Sequence, residues 1–156
     1  MNHKQIAIVG GGLSGLYAAF LLEQQGITDY ILLEARSSFG GRIMDYSDTT
    51  SEDLDRFDLG PTWFWPDFQP QLNALINNLG LQRFAQYEQG NMVVERSPNE
   101  PPTTMRGFAS SPASMRLKGG MGTLIRAIHD RLQSQELYVS AKVKSIRNES
   151  QMVEIT

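Results

Sequence analysis

Three glycines and one acid carry the first chemical signal. Gly10, Gly12 and Gly15 form G-x-G-x-x-G, and Glu34 follows 19 residues after Gly15. A glycine permits a tight turn at the first position, close approach of main chain to a pyrophosphate at the second, and close packing of helix on strand at the third. The free N–H groups of a helix beginning around Leu13 and Ser14 would face the phosphates, with the positive end of the helix dipole behind them. A carboxylate at Glu34 can accept hydrogen bonds from the adenosine ribose, and an acid there disfavours a 2′-phosphate. The chemistry is dinucleotide binding, and at this point NAD and FAD both satisfy it.

The pattern needs a strand before it, a helix after it and a second strand ending at the acid. Ile6-Ala7-Ile8-Val9 and Tyr30-Ile31-Leu32-Leu33 are short continuous apolar runs, which predict central strands of a parallel sheet. Between them Leu13, Leu16, Tyr17, Phe20 and Leu21 recur at helical spacing, and Gln24-Gln25-Gly26 supplies a helix end. These pieces make a right-handed βαβ unit. The expected class is therefore α/β, with a Rossmann-like domain built on a parallel central sheet.

Further along, the mixed acidic and Ser/Thr stretch from Asp45 to Asp58 predicts a loop. Pro70 starts a helix carrying Leu72, Leu75, Ile76 and Leu79, closed by Gly80. Asn91 to Arg96 predicts a strand, and Ser97 to Pro102 a proline-rich turn. Another helix follows Gly122, with Leu124, Ile125, Ile128 and Leu132 on one side. Leu137-Tyr138-Val139, Val143 to Ile146 and Met152 to Ile155 predict three short strands, the last two joined at Asn148-Glu149-Ser150.

Glu34-Ala35-Arg36 followed by Gly40-Gly41-Arg42 extends the fingerprint. Two guanidinium groups just past the ribose site can reach the pyrophosphate with charge-assisted bonds, and the glycines let the main chain run close to it. With this extension the sequence resembles the flavin-containing amine oxidase family and its relatives, protoporphyrinogen oxidase and phytoene desaturase. The resemblance implies FAD as cofactor. Asp58-Leu59-Gly60-Pro61-Thr62-Trp63 resembles the family segment beside the flavin ring, with Pro61 where a second Gly or Ala is common. Lys118-Gly119-Gly120-Met121-Gly122 is similar to the family element that returns the chain to the cofactor domain. Val143 matches a strand valine beside the adenine.

The site that the resemblance implies comprises Gly10, Gly12, Leu13, Ser14, Gly15, Glu34, Ala35, Arg36, Gly41, Arg42, Gly60, Pro61, Thr62, Trp63 and Val143. Residues 1–65 and 116–156 are then an incomplete FAD-binding domain, and 66–115 the first segment of a substrate-domain insertion. The implied activity is oxidation of a C–N or C–C bond in a small molecule, of amine class, by hydride transfer to flavin. Family members are much longer, so their catalytic residues correspond to positions beyond Thr156. A homo-oligomer or a complementing C-terminal chain is the partner expected on that account. Two other readings stay open: a catalytically inactive nucleotide-binding or partner-binding half, and a small NAD-binding oxidoreductase.

Composition narrows the rest. The 156 residues are 40% hydrophobic, enough for one buried core, and 14 Lys and Arg against 17 Asp and Glu leave a net charge of −3. No long-range positive field is present to collect nucleic acid or anionic lipid, so neither partner is expected. The chain contains no Cys, which excludes disulfides and thiolate metal sites and suits a cytoplasmic location. His3 and His129 have no Ser or Cys partner at motif spacing, and neither metal binding nor a signal peptide is expected. Trp63, Phe64 and Trp65 could wall a flavin or an amine cage, or simply pack the core. The acids Asp48, Glu52, Asp53 and Asp55 fit a solvated loop.

Overall fold

The computed structural model describes residues 3–47 and 56–156. In chain order the elements are β1 (Ile6–Val9), α1 (Leu13–Gln24), β2 (Tyr30–Leu33), β3 (Asp45–Ser47), β4 (Arg56–Asp58), α2 (Pro70–Asn78), β5 (Arg83–Ala85), β6 (Asn91–Val94), β7 (Thr103–Arg106), β8 (Met115–Leu117), α3 (Gly122–His129), β9 (Leu137–Tyr138), β10 (Ile146–Glu149) and β11 (Met152–Ile155). The chain forms two compact units, residues 1–61 with 119–156, and residues 62–118.

In the first unit the two apolar runs pair in parallel, Ile6 opposite Tyr30 and Val9 opposite Leu33. Strand β9 joins the other side of β2, also in parallel, giving the order β1-β2-β9. Only β2 is central within the described residues. Strand β1 lies at the edge, and Val9 is half-exposed although its run is wholly apolar. Helix α1 supplies the crossover, buries Leu16, Ala19 and Phe20, and packs on α3, which buries Leu124, Ile125 and Ile128. Each of these Leu, Ile and Phe side chains contributes about 1.5–3 kcal/mol when fully buried. Tyr17 stacks on Phe20 at the margin of this core, whereas Leu21 is exposed.

A polar clamp ties the helix to the sheet. The buried Tyr30 hydroxyl donates to Glu23 Oε1 at 2.6 Å, and Glu23 also accepts the Gln133 and Ser134 N–H groups. Burial and the neighbouring carboxylate raise the Tyr30 pKa, so the phenol stays a donor.

Three sequence expectations need correction in this unit. The stretch expected as loop from Asp45 to Asp58 contains β3 and β4, paired antiparallel with Tyr46 opposite Phe57. Partners remote in sequence hold it, since Asp45 Oδ2 pairs with Arg126 at 2.6 Å and with Arg56 at 3.5 Å. The four acids expected in that loop lie outside the described residues. Val143 is not in a strand. Residues 140–145 are irregular because Ser140 and Ala141 donate to Arg36 and Glu34 carbonyls, and the pairing of β10 with β11 begins only at Ile146 opposite Ile155. The connecting turn falls at Ser150–Gln151, since Asn148 and Glu149 remain in the ladder.

In the second unit α2 follows Pro70 as its sequence predicts, and Gly80 at φ +71 lies just past its end. The expected strand from Asn91 stops at Val94, ahead of the Pro98 turn, and pairs with β7, which sequence did not reveal. Strands β5 and β8 were equally hidden. They pair antiparallel, with Phe64 bridged to Met115 alongside. Phe64 is fully buried, while Trp63 and Trp65 direct their indole N–H groups to Gln86 and Ser114 at 2.9 and 3.0 Å. Among the described residues no helix is long and apolar enough to cross a membrane.

Candidate functional site

The carboxyl end of β1 turns sharply into α1, and the turn sets the site. Gly10 has φ +103, a left-handed conformation that β-carbon sterics penalise in other residues. Its N–H is held by the Leu33 carbonyl at 2.8 Å, so the turn stays anchored to β2. At Gly15 an added Cβ would fall 1.9 Å from the Gly10 carbonyl oxygen, which is backbone and cannot swing away. The helix can therefore start this close to the strand only with glycine there. Gly12 behaves differently. A Cβ at Gly12 would meet no protein atom closer than 3.9 Å. The protein itself leaves room for a β-carbon at that position.

Gly12 caps α1 with extended backbone and no side-chain cap, and the first turn carries no acid. The N-terminal N–H groups of the helix are thus open to an external acceptor. A second glycine turn lies alongside, with Gly12 bridged to Gly40 and the Gly40 N–H donating to Gly11 at 2.8 Å. Glu34 is buried at the end of β2. Its Oε2 accepts the Gly11 N–H and its Oε1 the Arg36 N–H, each at 2.7 Å. The Arg36 amide, aided by that of Gly11, holds the Glu34 carboxyl below its ordinary pKa despite burial, so it is a fixed anion at neutral pH. Arg36 Nη1 donates to the Gly41 carbonyl at 2.9 Å, which holds the guanidinium beside the glycine turn.

These groups enclose a crevice of about 760 Å³. It gathers Gly10, Gly12, Leu13, Ser14, Gly15, Glu34, Arg36, Gly41, Arg42 and Pro61 from the residues expected on sequence. Ala35 is exposed beside it, Gly60 packs against the Arg42 carbonyl behind it, and Val143 lies off the lining in its irregular segment. Thr62 and Trp63 belong to the second unit. Two lining residues, Val9 and Ile43, were not expected at the site on sequence, and Gly40, quoted there with the second glycine pair, also lines it, while Gly11 supports the turn from beneath through its bond to Glu34. The run of three glycines and the Gly40-Gly41 pair were the visible signal of Gly11 and Gly40.

His129 tilts on Phe39 with ring centroids 5.3 Å apart. Among the described residues no three His, Asp or Glu converge as a metal site.

A crevice walled by bare main chain, a helix N-terminus, two arginines and a fixed carboxylate has the donors for a diphosphate and the acceptor for a ribose. Comparison with known proteins agrees. Residues 8–79 match the family described as NAD(P)-binding Rossmann-like domain. Putrescine oxidase of Kocuria rosea is 37% identical over 92 residues, covering 58% of this chain and 18% of the relative. Flavin-containing amine oxidase A of Sus scrofa is 37% identical over 79 residues, covering 51% and 14%. The solved structure of putrescine oxidase bound to putrescine matches with a TM-score of 0.78 at 18% identity, covering 97% of this chain and 54% of that one. This last likeness concerns the fold, and the chain spans about half the length of that structure. The resemblance to these two amine oxidases covers 58% and 51% of this chain.

Proposed function

We propose that this chain is the FAD-binding part of a flavin-dependent oxidoreductase of amine oxidase type. The observation that carries the reading is Gly12, which lines the crevice yet has no protein neighbour that forbids a β-carbon. A ligand approaching the main chain is the physical reason for glycine there. Gly10, Leu13, Ser14 and Gly15 shape the phosphate grip, Glu34 takes the ribose with Ala35 next to it, and Arg36, Gly41 and Arg42 complete the diphosphate cradle. Pro61, backed by Gly60, closes one side of the crevice.

FAD is favoured over NAD by the second glycine turn with its two arginines and by the flavin-containing relatives. When bound, the flavin supplies the acceptor for a hydride equivalent from a C–N or C–C bond, and a small amine is the substrate class suggested by the relatives. The second unit is the start of a substrate-domain insertion in this reading. The open edge of β1, with Ala7 and Val9 exposed, supports a further strand from a complementing segment or chain. A cytoplasmic location is consistent with the absence of Cys.

Reconstitution of the purified chain with FAD, followed by the visible spectrum of the protein fraction after desalting, tests the cofactor. A retained flavin spectrum supports the assignment. Tight NADH binding with no retention of FAD under any reconstitution condition overturns it.

A further inference from the structure

Gly11 is buried between two glycines that line the crevice but does not line it itself. Its backbone does not demand glycine, because Gly10 has a positive φ and Gly11 does not. The crowding comes from Phe39. A Cβ at Gly11 would land on the Phe39 ring, 2.9 Å from Cε1 and closer still to Cδ1, with Glu34 Cβ at 3.0 Å.

Two hydrogen bonds hold the same residue. Its N–H donates to Glu34 Oε2 at 2.7 Å, and its carbonyl accepts at 2.8 Å from the N–H of Gly40, the residue after Phe39. The Phe39 ring also meets His129, the last residue of α3, with centroids 5.3 Å apart and a tilt of 34°. Helix α3 is anchored in the core by Leu124, Ile125 and Ile128. The ring is therefore a wedge between a core helix and the glycine turn. It limits how far Gly11 can move from Glu34, and Gly10 and Gly12 must follow because they are its bonded neighbours. Close packing transmits such a displacement instead of absorbing it. Phe39 stands outside the crevice lining, so its influence on a ligand runs through the turn.

We infer that Phe39 is a positioning residue of the dinucleotide crevice, and that Gly11 is glycine in order to receive its ring. The consequence for FAD rests on the flavin reading above, whereas the hold on the Gly11 N–H does not.

Two measurements on the full chain test this. One is FAD affinity by flavin fluorescence titration. The other, without cofactor, is NMR hydrogen exchange of the Gly11 amide relative to that of Leu32, a buried amide of β2, so that loss of global stability cancels. Phe39→Ala should weaken FAD binding about tenfold and raise the exchange ratio about tenfold, the scale of coupling between contacting residues. Gly11→Ala should do the same alone but add little in the Phe39→Ala background. Only Glu34 Cβ then stays close, and a few tenths of an ångström relieve it. Phe20→Leu, a core truncation on α1, should lower the melting temperature and leave both readouts unchanged. An unchanged exchange ratio or FAD affinity in Phe39→Ala, simple addition of the two alanine effects, or equal effects from Phe20→Leu overturn the inference. A parent chain that retains no FAD sinks the flavin reading alone, and the exchange ratio then decides. If Phe39→Ala does not fold, Phe39→Val, which also lacks the ring carbons at Gly11, takes its place.

Discussion

Glu34 and Gly11, 23 residues apart in sequence, are joined by a 2.7 Å hydrogen bond from the Gly11 N–H to Oε2, so the residue expected to read the ribose also holds the glycine turn in place. One carboxylate therefore links the end of β2 to the turn after β1.

Glu34→Gln keeps the shape but turns one acceptor oxygen into a donor that faces an N–H. The expected loss is about 1–3 kcal/mol of stability, the range for a buried hydrogen bond to a charged group. Urea denaturation measures it, and a variant as stable as the parent would show that the clamp contributes nothing.

Acid should weaken the fold through the same group. The folded Glu34 carboxyl has a pKa below its ordinary value of 4.5, so the folded state binds fewer protons than the unfolded chain in acid. Its contribution is complete above the ordinary value and is lost as pH falls through the lower folded value. Glu88 acts in the same direction. Thermal midpoints should fall with pH in that window, and less steeply in Glu34→Gln. Equal slopes for variant and parent would remove Glu34 from the account.

The two motif glycines Gly12 and Gly15 should fail in different ways. Gly15→Ala forces a Cβ onto the Gly10 carbonyl and should cost about 3 kcal/mol, as overpacking against backbone does. At Gly12 a Cβ meets no protein atom closer than 3.9 Å, and Gly12→Val should cost about 1 kcal/mol or less through its weaker helix cap. It should nevertheless abolish FAD retention. Circular dichroism melts alongside flavin absorbance separate the two, and a Gly12→Val protein with full FAD affinity would misplace the phosphates.

Asp45 joins β3 to α3 through Arg126 and to β4 through Arg56. Asp45→Ala leaves two cations without this partner and should destabilise the first unit by about 1–3 kcal/mol. High salt should narrow the gap between variant and parent, because Arg126 is partly solvated. A gap independent of salt would point to packing instead.

Local chemistry was legible in the sequence wherever residues close in the chain decide the conformation. Ile6–Val9, the glycines and the periodic face of α1 are such cases, because a strand, a turn and a helix each impose their own spacing. Asp58 shows the limit. On sequence it closes a polar stretch and opens the segment that resembles the flavin-side element, but nothing there reveals that its Oδ1 accepts the Met121 N–H at 2.7 Å, 63 residues away. The Asp45 ion pair and the short strands β5, β7 and β8 are of the same kind, since three or four residues without alternation become strands only when a remote partner offers its ladder.

The sequence by itself determined the glycine turn and the acid that follows it, since glycine steric freedom and strand-to-helix spacing are properties of neighbouring residues. Only the tertiary structure decided why each glycine is there. Gly15 is required by the protein's own backbone at 1.9 Å, whereas nothing in the protein requires Gly12. That difference depends on which atoms stand across the gap in space, and a linear pattern of residues does not contain it.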